Sequence, residues 1–130
     1  MGNDVYLGKK VSEYRKAVAA AAPKGYAKND HFACTPVALC LGDDRKACRY
    51  GMRGANFFAE SLATYYFSGR RPTGLLDVSR DFLPDDELDE AMAFRGSPDA
   101  PAMNVIGDPQ HCREIVSRYA AVGVDELILV

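Results

Sequence analysis

The sequence contains no tryptophan, two histidines and four cysteines among 130 residues. The cysteines form no Cys-x-x-Cys pair and no zinc-type spacing, which argues against a metal site. A Gly-rich phosphate loop, a Walker motif and a nucleophile elbow are absent as well. The sequence therefore predicts no catalytic residue and no metal ligand that acts independently.

Long apolar runs and a predominance of one charge are also missing. No run reaches the roughly 18 apolar residues of a membrane span, and the N-terminus lacks a signal-peptide pattern. The net charge is −2 with both signs mixed along the chain, so nothing indicates binding to nucleic acid or an anionic membrane. We expect a soluble cytoplasmic protein in which Cys34, Cys40 and Cys112 are buried thiols rather than disulfides.

The residue pattern predicts an α/β protein with parallel strands and crossover helices. A short apolar run closed by glycine predicts a strand at residues 4–8, and the following helix ends at Pro23. Residues 32–41 are apolar on both faces, as in a strand buried on both sides of a parallel sheet. Pro36 cannot donate to the ladder and predicts an irregularity in this strand.

A long helix is predicted next, capped by Asp43 or Asp44. Gly51 and Gly54 in its middle each cost about 1 kcal/mol relative to alanine, so we expect a close packing contact there. The predicted inward stripe follows helical spacing and consists of Ala47, Gly51, Ala55, Phe58, Leu62 and Tyr66.

Prolines and glycines break the pattern at about residues 68–104, which we interpret as an insertion or a lid. One short acidic helix is predicted there, from Asp85 to Phe94, with Leu88, Ala91 and Met92 as its apolar side.

The final third has the clearest pattern. Asp108 is predicted to cap a helix with Pro109 at its first position. Gly123 then supplies the left-handed residue that ends this helix. Residues 127–130 predict a fully apolar last strand.

Residues 105–130, from Val-Ile-Gly-Asp-Pro through Gly-Val-Asp-Glu to the last valine, resemble the terminal helix and strand of luciferase-like monooxygenases. A strand ending at Tyr6-Leu7-Gly8 and a helix containing Tyr14-Arg15 are similar to the family's sixth βα unit. The strand running into Gly42-Asp43-Asp44, before a helix with Ala47-Cys48, is similar to the seventh.

This resemblance implies a partial (β/α)8 TIM barrel. Residues 1–130 would form a single C-terminal portion with about three parallel strands, crossover helices and the insertion at about 68–104. Another α/β barrel or a Rossmann-like fragment is the alternative, since the caps and the helical periodicity are generic.

The resemblance also implies a reduced flavin, FMN or F420, in the C-terminal mouth of the barrel. In the family it reacts with oxygen and a small organic substrate, or passes hydride. Tyr6, Leu7 and Gly8 match a segment that lines the flavin ring and are our predicted cofactor-binding residues; alternatively, Tyr6 is simply a strand aromatic. Because most flavin contacts come from earlier strands, we expect this chain alone to be inactive and not to bind FMN or F420 tightly.

Other polar residues have simpler explanations. His31 and His111 have no partner at ligand spacing, so surface or capping roles are expected. The acidic run at residues 85–90 suits a helix start better than a cation site. The pair Arg70-Arg71 could hold a phosphate or a carboxylate.

Two functional hypotheses follow. The chain is a C-terminal fragment of a flavin-dependent luciferase-like oxidoreductase, or it is a non-catalytic partial barrel that oligomerises. Three barrel strands leave two open edges and expose the inner face, formed by Val37, Leu39, Leu127 and Leu129. A homo-oligomer is therefore expected.

Overall fold

The computed structural model describes residues 3–22, 24–68, 85–95 and 104–130. Within them the element order is α1 (Asn3–Ala20), β1 (Ala33–Cys34), β2 (Ala38–Cys40), α2 (Asp44–Leu62), α3 (Asp85–Arg95), β3 (Val105–Gly107), α4 (Pro109–Ala121) and β4 (Glu126–Leu127). A π-helical segment, Ala63–Ser68, extends α2. The predicted α/β class with parallel strands is confirmed.

Both strand pairs are parallel and share the central segment at residues 33–40. β1 pairs with β4 in the register Cys34↔Leu127, and β2 pairs with β3 in the register Leu39↔Ile106. The Ala38 N–H donates to the Val130 carbonyl at 2.7 Å, while the Val105 N–H donates to the carbonyl of residue 37 at 2.9 Å. Because neighbouring residues of a strand direct their backbone groups to opposite sides, β3 and β4 flank the central segment on opposite sides.

Pro36 explains why the predicted strand at residues 32–41 is divided into β1 and β2. Proline has no N–H to donate to a ladder. Its carbonyl still accepts from the Val130 N–H at 3.2 Å, so the contact with the chain after β4 continues past the break. The irregularity predicted at this position is confirmed.

The strand predicted at residues 4–8 is wrong, because these residues form the start of α1. Leu7 and Val11 are one helical turn apart, and both pack inward, with Val11 buried. Asp4 favours a helix start and pairs with Arg118 of α4 at 2.9 Å. A short apolar run does not distinguish a strand from a helix, and here the helical spacing decides.

Helices cover the sheet on both faces. Val37 and Leu39 pack against the α2–α3 core cluster, which contains Cys48, Ala55, Leu88 and Ile106. Side chains from the other face of the strands pack against the α4 cluster; they are Cys34, Ala38 and Leu127. The expectation that Val37, Leu39 and Leu127 form an exposed inner face is therefore wrong, whereas Leu129 is exposed.

The path of the chain explains the two covered faces. From the central segment the chain passes through α2 and α3 to β3, which pairs on one side of that segment. It then passes through α4 to β4, which pairs on the opposite side of the same segment. Right-handed crossovers taken in opposite directions place their helices on opposite faces of a sheet. In a sequential barrel β4 would instead pair with β3, so the partial barrel remains an interpretation and the parallel α/β sheet is the finding.

The start of α2 agrees with prediction, since the Asp43 carboxylate accepts from the Lys46 N–H at 3.0 Å. Its stripe is buried only as far as Ala55, at Ala47, Gly51 and Ala55. The later members of the stripe are exposed; they are Phe58, Leu62 and Tyr66.

The two later helices also agree with prediction. α3 buries Leu88 completely. α4 is capped by Asp108, whose carboxylate accepts from the His111 N–H at 2.7 Å, and Gly123 after the helix has a φ of 90°. β3 was not predicted as a strand, because three residues are too few to show a periodicity.

None of the helices in the described ranges combines the length and the apolar character that crossing a bilayer requires.

Gly51 and Gly54 provide a matched test of the α2 packing. A Cβ at Gly51 would lie 2.7 Å from Ile106 Cγ2 and 3.2 Å from Leu39 Cβ, while a Cβ at Gly54 meets nothing within 4 Å. Gly51→Ala should lower the free energy of unfolding by about 1–3 kcal/mol through overpacking. Gly54→Ala should raise it by up to about 1 kcal/mol through helix propensity. Urea unfolding followed by circular dichroism measures both, and a stabilising Gly51→Ala would contradict the packing.

Candidate functional site at the carboxyl edge of the sheet

Parallel strands bring the loops at their carboxyl ends together, and β2 and β3 do so here. Cys40 and Gly107, the last residues of the two strands, are register partners. α2 begins four residues after Cys40, and α4 begins two residues after Gly107. Function in parallel α/β proteins usually lies at this edge, which makes the two loops and their neighbours the candidate site.

Arg95, the last residue of α3, joins these loops. Its two terminal nitrogens donate to the two carboxylate oxygens of Asp44 at 2.9 and 2.7 Å. One of these nitrogens also donates to the Ile106 carbonyl at 3.0 Å and lies 2.8 Å from Cys48 Sγ. The Asp44 carboxylate accepts in addition from the Asp108 N–H at 3.0 Å. This carboxyl-edge cluster (Asp44, Arg95, Asp108 and Gly107) therefore connects α2, α3, β3 and α4.

Gly107 lies in the middle of this cluster. A Cβ there would lie 2.8 Å from Asp44 Oδ1, 2.9 Å from an Arg95 terminal nitrogen and 2.9 Å from His111 Cδ2. Any larger residue would push the ion pair and the histidine ring apart. Close approach of the ion pair to the strand end therefore requires glycine at this position.

The cluster changes the acidity of its members. The hydrogen bonds from Arg95 hold the pKa of Asp44 below its usual value, against the smaller opposing effect of burial. Burial lowers the pKa of His111, and the nearby Arg95 charge lowers it further. The buried Nε2 of His111 has no hydrogen-bond partner among the described residues. The ring is therefore favoured in its neutral form.

A cavity of about 540 Å³ lies between α2, α3 and β3, with Arg95 in its wall. This volume is within the range of small-molecule sites. Most of its lining is apolar, and the polar members besides Arg95 are Asn56, Glu87, Glu90 and Asn104. Two glutamates at the wall disfavour an anionic ligand.

The predicted cofactor-binding residues Tyr6, Leu7 and Gly8 lie on α1. Leu7 packs against the α4 cluster, and a Cβ at Gly8 would lie 3.7 Å from Val122. Tyr6 is exposed, with the Lys10 ammonium 5.6 Å from its ring centroid. The structure does not bring these three residues into the cavity wall.

The remaining candidate residues either form ion pairs or hydrogen bonds with other side chains or lie outside the described residues. His31 is exposed and its Nε2 lies 2.8 Å from a Glu126 carboxylate oxygen. Asp85 and Asp89, from the acidic run, pair with arginines of α2. Arg70 and Arg71 lie outside the described residues. No group of three or more potential metal ligands occurs within the described ranges.

All four cysteines are free thiols. Cys48 and Cys112 are buried and Cys34 is partly buried, but Cys40 is exposed, so its predicted burial is wrong. Cys40 is exposed because it is the last residue of β2, at the carboxyl edge of the sheet.

Sequence reasoning missed the Asp44–Arg95 pair. Its partners are 51 residues apart, beyond any local spacing rule. Two weak indications existed, an acidic residue in the first turn of α2 and an arginine at the C-terminus of the predicted acidic helix. Neither indicates a partner by itself.

In comparisons with known proteins, no family model, curated protein or solved structure matches the chain.

Asp44→Asn tests the cluster. It should lower the free energy of unfolding near neutral pH by about 1.5–3 kcal/mol, the range for hydrogen bonds to charged groups. A carboxylate whose pKa is depressed in the folded state stabilises fully above its unfolded pKa of about 3.9 and loses that contribution as the pH falls through the folded pKa. The variant should therefore show a shallower loss of stability in acid.

Asp89→Asn is the matched control, because it breaks an exposed ion pair between the same two helices. It should change stability much less, since solvent screens such pairs. Equal effects of the two substitutions across a pH series of urea titrations would rule out a special role for Asp44.

Proposed function

We propose that this chain supplies about three parallel strands and their crossover helices to a luciferase-like, flavin-dependent oxidoreductase of the cytoplasm. The parent enzyme would use reduced FMN or F420 and a small organic substrate. The observation that carries the proposal is the βαβ unit formed by β3, α4 and β4. Its Asp108-Pro109 cap and its Gly123 turn directly before the last strand correspond to the residues that carry the resemblance.

The strand order is compatible with this proposal if one pairing differs in the parent. In a barrel, an earlier strand would occupy the side of the central segment at residues 33–40 that β4 occupies here. β4 would then pair with the free side of β3. The same right-handed rule would place α4 on the same face as α2, as a barrel requires. The strand order of this chain and that of a barrel therefore differ only in which strand pairs with β4.

The described residues do not fit a flavin by themselves. The N-termini of α2 and α4, which could bind a phosphate, are capped by Asp43 and Asp108. The terminal nitrogens of Arg95 already bind Asp44, and the cavity wall carries Glu87 and Glu90. We therefore assign no chemical step to this chain and propose that it acts as scaffold for cofactor contacts made elsewhere in the parent.

Flavin titration tests this proposal. The 130-residue chain should show no saturable micromolar binding of FMN or F420 by fluorescence, because its helix N-termini are self-capped. An intact luciferase-like enzyme that contains this segment should bind one flavin per chain. Tight one-site binding by the short chain, or an intact enzyme of this kind that binds neither flavin, would contradict the proposal.

One observation favours the second hypothesis, a non-catalytic protein that self-associates. Ile128, Leu129 and Val130 follow β4 with 49%, 55% and 54% of their surfaces exposed. Such an apolar edge is a template for strand pairing between chains.

Light scattering at micromolar concentration tests this association. The unmodified chain should have a dimer mass, and Leu129→Lys should shift it towards the monomer by placing a charge on the edge. Val5→Lys changes an exposed apolar residue of α1 and should leave the mass unchanged. A monomer mass for the unmodified chain would exclude association through this edge.

A further inference from the structure

Two of the four thiols, Cys40 and Cys112, lie near the paired ends of β2 and β3. Cys112, in the first turn of α4, donates its S–H towards the carbonyls of Val105 and Gly107, with Sγ–O distances of 3.7 and 3.6 Å. Gly107 is the register partner of Cys40. The sulfur of Cys112 therefore lies over the strand end beside Cys40.

Side-chain alternation places Cys40 on the same face of the sheet. Cys34 and Ala38, at even positions of the central segment, pack against the α4 cluster that contains Cys112, whereas Val37 and Leu39 face α2 and α3. Cys40 follows Ala38 by two residues and so points to the α4 side. Cys40 is close enough to Cys112 to contribute to the raised pKa of that thiol.

The two thiols differ in access. Cys40 is exposed at the open edge of the sheet, while Cys112 is 7% exposed. Burial, reinforced by the hydrogen bond with Cys40, raises the pKa of Cys112 to about 11. Because burial and the raised pKa make Cys112 the less reactive thiol, Cys40 is the sulfur that meets a solvent-borne oxidant first. Cys112 has the resolving role through its position beside Cys40, and the disulfide should therefore form faster as the pH rises.

We propose that Cys40 and Cys112 form a reversible, peroxide-sensitive disulfide that links β2 to the first turn of α4. Hydrogen peroxide converts the Cys40 thiol to a sulfenic acid and releases one water. The Cys112 sulfur then attacks the Cys40 sulfur, which forms the S–S bond and expels the sulfenic oxygen as a second water. Each sulfur loses one electron and the peroxide gains two. A dithiol reductant returns both cysteines to thiols by thiol–disulfide exchange and becomes a disulfide itself.

Cys34 and Cys48 do not have this arrangement. Cys34 is partly buried between β1 and the α4 cluster, and Cys48 is fully buried against Arg95. Neither combines an exposed sulfur with a second thiol close by. They serve as internal controls.

The test treats the folded protein with hydrogen peroxide, blocks remaining thiols under denaturing conditions and maps tryptic peptides by mass spectrometry. Cys34 and Cys40 share the peptide 29–45, so the experiment uses Cys34→Ser, in which Cys40 is the only thiol of that peptide. The expected product is peptide 29–45 joined to peptide 96–113. In the unsubstituted protein, free thiols should fall from four to two and return to four after treatment with dithiothreitol.

Cys112→Ala should leave Cys40 as a sulfenic acid that dimedone captures, while Cys48→Ser should leave the linked peptide unchanged. Cys40→Ser should abolish the linkage, and because Cys40 is exposed, the substitution changes no buried side chain. The proposal is overturned if Cys40 oxidises fully while Cys112 remains a free thiol in the Cys34→Ser protein. A Cys40 linkage found only between two chains would also overturn it.

Discussion

The ion pair between Asp44 and Arg95 is the interaction on which the arrangement of the sheet edge depends. Its groups come from the start of α2 and the end of α3, and each also binds the backbone near β3, at Ile106 and Asp108. One partly buried salt bridge therefore sets the relative positions of two helices and two strand ends. Gly107 permits this closeness, because any side chain there would displace the carboxylate.

The same cluster limits what the edge can bind. An arginine at the carboxyl end of parallel strands would ordinarily suggest an anion site. Here its terminal nitrogens are occupied by a carboxylate and a carbonyl, and the adjacent helix N-termini are capped by aspartates. The cavity behind Arg95 has an apolar wall with two glutamates. These features explain why we propose a scaffolding role within a flavin enzyme and assign the cofactor contacts to the rest of the parent.

Local rules predicted the elements that local chemistry determines. The ends of α4 are set by Asp108 with Pro109 at its start and by Gly123 after its last turn. Pro36 divides the central strand, and Gly51 is the site of a close contact with Ile106. The start of the chain was misread because a short apolar run is consistent with either a strand or a helix. The strand order and the Asp44–Arg95 pair depend on contacts between distant residues, which no spacing rule detects.

We propose that β4 pairs with a different neighbour in an intact parent enzyme, and cross-strand nuclear Overhauser effects test this proposal most directly. In the 130-residue protein, the backbone protons of Leu127 should show these effects to Cys34, its register partner. In an intact barrel enzyme that contains this segment, Leu127 should lose them and gain effects to β3. Retention of the Cys34–Leu127 effects in an intact enzyme that binds flavin would contradict the account.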